Sequence, residues 1–168
     1  PGLFRKYPTA AEFAKADQAE LEADIRSTGF FRNKAKNIIG AAQKIVADFN
    51  GQVPSTMAEL ITLPGVARKT ANIVLSSAFS TAEGIAVDTH VRRLSGRLEL
   101  SRKSDPDKIE QDLMKVVPRK DWLDFNYMLV DHGRKVCQAR KPRCPLCALR
   151  KLCPFAVKFY PELKTRKA

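Results

Sequence analysis

The chain has 168 residues, 44% of them hydrophobic, enough for one generous core or two small ones without disulfide staples. Its 30 Lys and Arg against 18 Asp and Glu leave a formal charge of +12, and no opening apolar run of signal-peptide or membrane length is present. These features argue against a disulfide-built secreted module or a membrane protein and for a polyanion partner met in a reducing compartment.

The elements read as helices in chain order. "DQAELEADIRSTG" has Asp17 as N-cap, Leu21 and Ile25 four apart, and Gly29 where a left-handed residue ends a helix. "NKAKNIIGAAQKIVADFNG" carries Ile38, Ile39, Ala42, Ile45, Val46 and Phe49 on one stripe and closes at Gly51. "STMAEL" offers Thr56 and Glu59 as a capping box.

In "LITLPGVARKTANIVLSSAF" a helix is expected to end at Leu63, Pro64 and Gly65 to turn, and a second helix to begin near Ala67. Such a helix-hairpin-helix, about residues 60–79, turns the amides of Val66, Ala67 and Arg68 outward at a positive helix end, where they can receive a phosphate. Taken alone the string also suits an ordinary structural hairpin. Lys69 follows in the first turn of the second helix. A cation there opposes the helix dipole, and with Arg68 adjacent a neutral, nucleophilic amine becomes less costly.

Next, "GIAVDTHVRRLSGRL" sets Asp88 after the apolar run Ile85–Val87 and before a helix it can cap. The helix after Lys69 carries the chain ~18 Å away, and the segment to Val87 can return ~26 Å if extended, so Lys69 and Asp88 can face one cleft. His90 beside Asp88 is placed to reach a phosphate, whereas His132 in "VDHGRKVC" reads as a packing or hydrogen-bonding residue. "SDPDKIEQDLMKVVP" has Asp105 as cap and Pro106 at the first helical position, and Trp122, Phe125 and Tyr127 read as core. Strand signals and internal repeats are absent, so the fold class is all-α with short connections.

All four cysteines, Cys137, Cys144, Cys147 and Cys153, fall in "CQARKPRCPLCALRKLC". Four clustered thiolates suit tetrahedral zinc or an iron–sulfur cluster. One C-x2-C between two long spacers fits the larger cubane better than the paired knuckles usual for zinc. From Arg134 onward eleven Lys and Arg stand against the single acid Glu162, so the positive field is focused around the cysteines. Arg140, Lys141 and Arg143 are the loop cations expected to meet phosphates.

"LPGVARKTAN", "VDTHV" and "HGRKVC" leading into C-x6-C-x2-C-x5-C together resemble the endonuclease III branch of the helix-hairpin-helix DNA glycosylases, in order from Leu3 to Phe155. The resemblance implies a helical barrel-like domain (1–82) carrying the hairpin and an iron–sulfur domain (83–168). It further implies a [4Fe-4S] cluster on the four cysteines, Lys69 as nucleophile, Asp88 as its essential carboxylate, and Phe30 in the place of an apolar wedge inserted into DNA. The implied activity is a bifunctional DNA glycosylase and AP lyase of base excision repair. It would excise oxidised pyrimidines from damaged double-stranded DNA through a lysine Schiff base, as a bacterial-type cytoplasmic, nucleoid-associated monomer without membrane attachment.

Two departures accompany the resemblance. Ala67 stands where the family hairpin has a second glycine, and it keeps the N–H that a phosphate needs. The two helices that precede "LFRKYPTAAEF" in the family are missing before Pro1, so the chain reads as a fragment or a processed product. Two rival readings are a non-catalytic iron–sulfur DNA-binding module and an adenine-excising mismatch glycosylase. The pairing of Lys69 with Asp88 speaks for the enzyme, and the mismatch class generally lacks a lysine at that place.

Overall fold

The structure is a computed structural model that describes residues 2–162. Helices and turns make up the described residues, with no strand among them. The chain divides into two compact units, Pro1–Ala71 and Asn72–Ala168, each built on a core of its own.

The first unit holds α1 (Gly2–Lys6), α2 (Ala10–Ala14), α3 (Gln18–Asp24), α4 (Phe31–Asp48) and α5 (Met57–Leu60). Asp17 caps α3 by accepting from the Glu20 N–H at 2.9 Å. Thr9 and Glu12 close a reciprocal capping box on α2 that the sequence analysis did not single out. Buried Tyr7, Leu21, Ile25 and Ala35 form the core, with Phe13, Ile38 and Ile39 packed against it.

Two details differ from the sequence expectation. The chain leaves α3 through a 3-10 turn, Arg26–Thr28, and the following Gly29 has φ 65 but ψ 151, which is not the left-handed helical conformation. That conformation falls on Phe30 (φ 47, ψ 30), because the extra tight turn shifts the reversal by one residue. On α4 the buried face runs through Ala35, Ala42 and Ile45, whereas Val46 is 40% exposed. Adjacent residues lie ~100° apart around a helix, so Ile45 and Val46 cannot share so narrow a stripe.

The second unit takes most of α6 (Arg68–Ala78) and then α7 (Thr89–Arg97), α8 (Pro106–Val116), α9 (Trp122–Lys135) and α10 (Pro154–Phe159). Asp105 caps α8 through the Lys108 N–H at 3.0 Å, and Pro106 opens it. Ile85, Val87, Val91, Leu94, Ile109, Leu113, Trp122 and Leu129 are the buried core. The Trp122 indole N–H is satisfied by the Val117 carbonyl at 2.9 Å. Tyr127, expected in this core, is 54% exposed. The same turn of α9 buries Asn126 instead, which donates to the Ala86 carbonyl. No helix among the described residues is long and apolar enough to cross a membrane.

Candidate functional site

The hairpin is built by close backbone approach. Beyond α5 the Thr62 and Leu63 N–H groups bond to Glu59 and Leu60. These i→i−3 bonds tighten the end of the helix, so α5 stops at Leu60 and not at Leu63. Gly65 then turns the chain with φ 74. A Cβ on it would lie 2.6 Å from the Asn37 amide nitrogen, so glycine is required both for its conformation and for space. One turn along α4, a Cβ added to Gly40 would meet Pro64 at 3.3 Å. Asn37 and Gly40 therefore seat the hairpin, a role that sequence spacing did not reveal.

The Val66 amide, expected to face outward for a phosphate, bonds instead to the Leu63 carbonyl at 3.1 Å. The tight turn consumes that donor. The first intrahelical bond of α6 runs from the Ala71 N–H to the Ala67 carbonyl at 3.0 Å. Of the three donors anticipated, the N–H groups of Ala67 and Arg68 still lie ahead of that bond in the first turn, together with those of Lys69 and Thr70. Lys69, the second residue of α6, is exposed, and Phe30 at the head of α4 is 88% exposed.

Asp88 belongs to the second unit. It follows the buried run Ile85–Val87 and caps α7, its Oδ1 accepting from the His90 and Val91 N–H groups at 2.8 Å each. Both bonds fall on one oxygen, which leaves Oδ2 of this half-buried carboxylate without a protein partner among the described residues. Capping and an available charged oxygen coexist in one side chain. His90 is half-buried, with Nδ1 3.1 Å from Arg93 Nη2, and it packs so closely on α9 that a Cβ at Gly133 would lie 2.7 Å from Nδ1.

The four thiols are reduced and line one cavity together with Leu94, Arg97, His132 and Phe155. Cys144 and Cys147 are buried. Burial, and next the neighbouring Cys137, Cys153 and Cys147, push the Cys144 thiol up, as expected where thiols that would each carry negative charge crowd together. Burial pulls His132 down, and its Nε2 lies 3.5 Å from Cys147 Sγ. No three His, Cys, Asp or Glu side chains among the described residues are close enough to hold a single ion. Arg140, Lys141 and Arg143 are exposed around the cavity, while Pro142 between them is buried. The basic residues beyond 162 lie outside the described residues.

A family model, "HhH-GPD superfamily base excision DNA repair protein", matches residues 1–119. Endonuclease III of Synechocystis is 58% identical over 156 residues, covering 93% of this chain and 71% of the relative. The chain belongs to the endonuclease III branch of that superfamily. Endonuclease III of Bacillus subtilis is 45% identical over 152 residues, 90% of this chain and 69% of its own. Among solved structures, a non-covalent endonuclease III–DNA complex superposes with a TM-score of 0.87 at 44% identity, covering 94% of this chain and 73% of that one. A trapped covalent endonuclease III–DNA intermediate superposes equally well over 94% and 74%.

Two arginines one turn apart on α7 were missed by sequence reasoning. Arg93 donates to the Gly133 and Cys137 carbonyls at 3.0 and 3.1 Å, and Arg97 reaches the cysteine loop itself at Cys137, Gln138 and Ala139. The available signal was their i, i+4 spacing on the helix that Asp88 caps. It named a shared face but not what that face touches.

Proposed function

We infer that this chain is a bifunctional DNA glycosylase and AP lyase, with an oxidised pyrimidine in duplex DNA as its substrate. The observation that carries the reading is an exposed lysine in the first turn of α6 in a chain so similar to an endonuclease III captured in covalent linkage to DNA. The reading assigns Lys69 as the nucleophile. Its neutral amine attacks C1′ of the extruded nucleotide while the glycosidic bond breaks and the bonding pair leaves with the base. Loss of the amine proton and opening of the sugar give an iminium between Nζ and C1′. Removal of a C2′ proton then expels the 3′ phosphate by breaking C3′–O, and water finally releases the lysine.

Asp88 supplies a fixed negative charge where the sugar becomes positive and accepts the lysine proton. Its anchoring by two backbone N–H groups on Oδ1 supports this, because an oriented charge needs no reorganisation during the step. The helix end from Ala67 to Thr70, with His90, Arg140, Lys141 and Arg143, is assigned to phosphates, and Phe30 to the space an extruded base vacates.

The cavity shared by Cys137, Cys144, Cys147 and Cys153 supports a [4Fe-4S] cluster on those residues. Its four thiols are the soft donors such a group prefers. When bound, the cluster supplies a cross-link of the loop with no coordination position left open for substrate.

Borohydride reduction tests the reading. Wild-type protein mixed with duplex containing an oxidised pyrimidine or an abasic site should become covalently attached to DNA. Lys69→Gln should abolish attachment with abasic-site binding nearly intact, and Asp88→Asn should slow base release by about 10²–10³. Binding to damaged DNA without any trapped adduct in cluster-loaded wild type would leave the non-catalytic binding module as the better description.

A further inference from the structure

The last turn of α7 presents Arg97 to both ends of the cysteine loop. Arg97 Nη1 lies 3.1 Å from Cys137 Sγ and donates to the Gln138 carbonyl at 2.8 Å, and Nη2 donates to the Ala139 carbonyl at 2.8 Å. The guanidinium stacks on the Phe155 ring at 4.3 Å from its centroid. Cys153 Sγ lies 3.6 Å from the Arg97 carbonyl. One side chain thus touches the first cysteine, the two residues after it and the helix that follows the last cysteine. Gripped by two carbonyls and an aromatic face, the planar fork holds its Nη1 on the Cys137 sulfur.

We propose that Arg97 is a positioning residue for the cysteine-bound group: its N–H···S bond fixes Cys137 as a ligand and raises the reduction potential of the cluster held there. This rests on the cluster assigned above. Adding an electron makes a thiolate-ligated cluster more negative, and a cationic donor on a ligand sulfur stabilises that form more than the oxidised one. A residue that only braced the loop would act through the Gln138 and Ala139 carbonyls and leave the potential alone. The sulfur contact makes the two roles separable.

The test compares wild type with R97Q, R97K and R92Q by spectroelectrochemical titration of iron-replete protein without DNA. Arg92 is exposed on the same helix and controls for loss of one positive charge. The potential should fall most in R97Q, fall by less in R97K, which keeps the cation but loses the fork, and stay put in R92Q. Where R97Q retains too little iron to titrate, R97K carries the comparison. A wild-type potential in the iron-replete Arg97 variants, or a drop in R92Q equal to theirs, overturns the proposal. Wild-type protein purified without equal iron and sulfide removes the cluster reading itself, an outcome distinct from an unchanged potential in a loaded variant.

Discussion

The hairpin and the cysteine loop both carry cations at the surface, yet they are held by opposite means. Between Leu60 and Arg68 the chain is shaped by steric fit: the positive φ of Gly65, the absence of Cβ atoms at Gly65 and Gly40, and the Asn37 and Pro64 surfaces that fill the space. Between Cys137 and Cys153 the chain makes a single 3-10 turn, Cys144–Leu146. There the tethers are side chains, Arg93 and Arg97 on carbonyls and the four thiols around one cavity. A sterically built turn is preorganised whatever the solution contains. A loop held by cations and thiols depends on what occupies it.

Removing the group from the cysteine loop should break the comparison most visibly. Cys144→Ser, or chelation with an oxidant, should erase hydrogen-exchange protection from residues 137–153 while leaving the amides of α4 and the hairpin protected. Equal loss in both regions would show that the two are not independently held.

Gly65→Val attacks the other side. Left-handed strain together with collision against Asn37 should cost about 2–4 kcal/mol in urea unfolding. Adding Asn37→Gly, which removes the Asn37 Cβ lying 2.7 Å from the added one as well as the amide beyond it, should recover the steric part but not the backbone part, so the double-mutant cycle separates the two. Full recovery would mean that the backbone conformation contributes nothing.

A smaller effect is expected at the loop cations. Replacing Arg140, Lys141 and Arg143 by alanine should reduce the slope of log affinity against log salt by about 3, and should change stability by less than about 0.5 kcal/mol because all three are exposed. An unchanged slope would move the phosphate contacts elsewhere.

The smallest change sharpens the contrast at Phe30. Held left-handed and 88% exposed, it contributes little to the core, so Phe30→Gly should raise stability by a few tenths to about 1 kcal/mol. The same change should weaken the hold on DNA with an extruded base. A loss of stability would identify Phe30 as a structural cap after all.

What could be read from the sequence was what short range decides. Asp17, Thr56, Asp88 and Asp105 were recognisable as caps because a carboxylate or hydroxyl reaches an N–H only two or three residues away. The all-α class followed from apolar periodicity, and the convergence of four thiols from their confinement to seventeen residues, whose two long spacers also favoured a group larger than one ion. The sequence alone therefore determined the helical class, the turn at Gly65 and the gathering of the four thiols around one cavity.

The tertiary structure decided the rest, because it depends on partners distant in sequence. The Val66 donor is spent inside the turn, while Asn37 approaches Gly65 from a helix 28 residues earlier. Val46 and Tyr127 carry apolar side chains that periodicity assigns to the core, yet they face outward because the neighbours they would need are packed on an adjacent face. Arg97 finds Cys137 across 40 residues. Its composition and spacing match those of a solvent-exposed helical cation, and only packing of α7 beneath the loop turns its fork onto the sulfur.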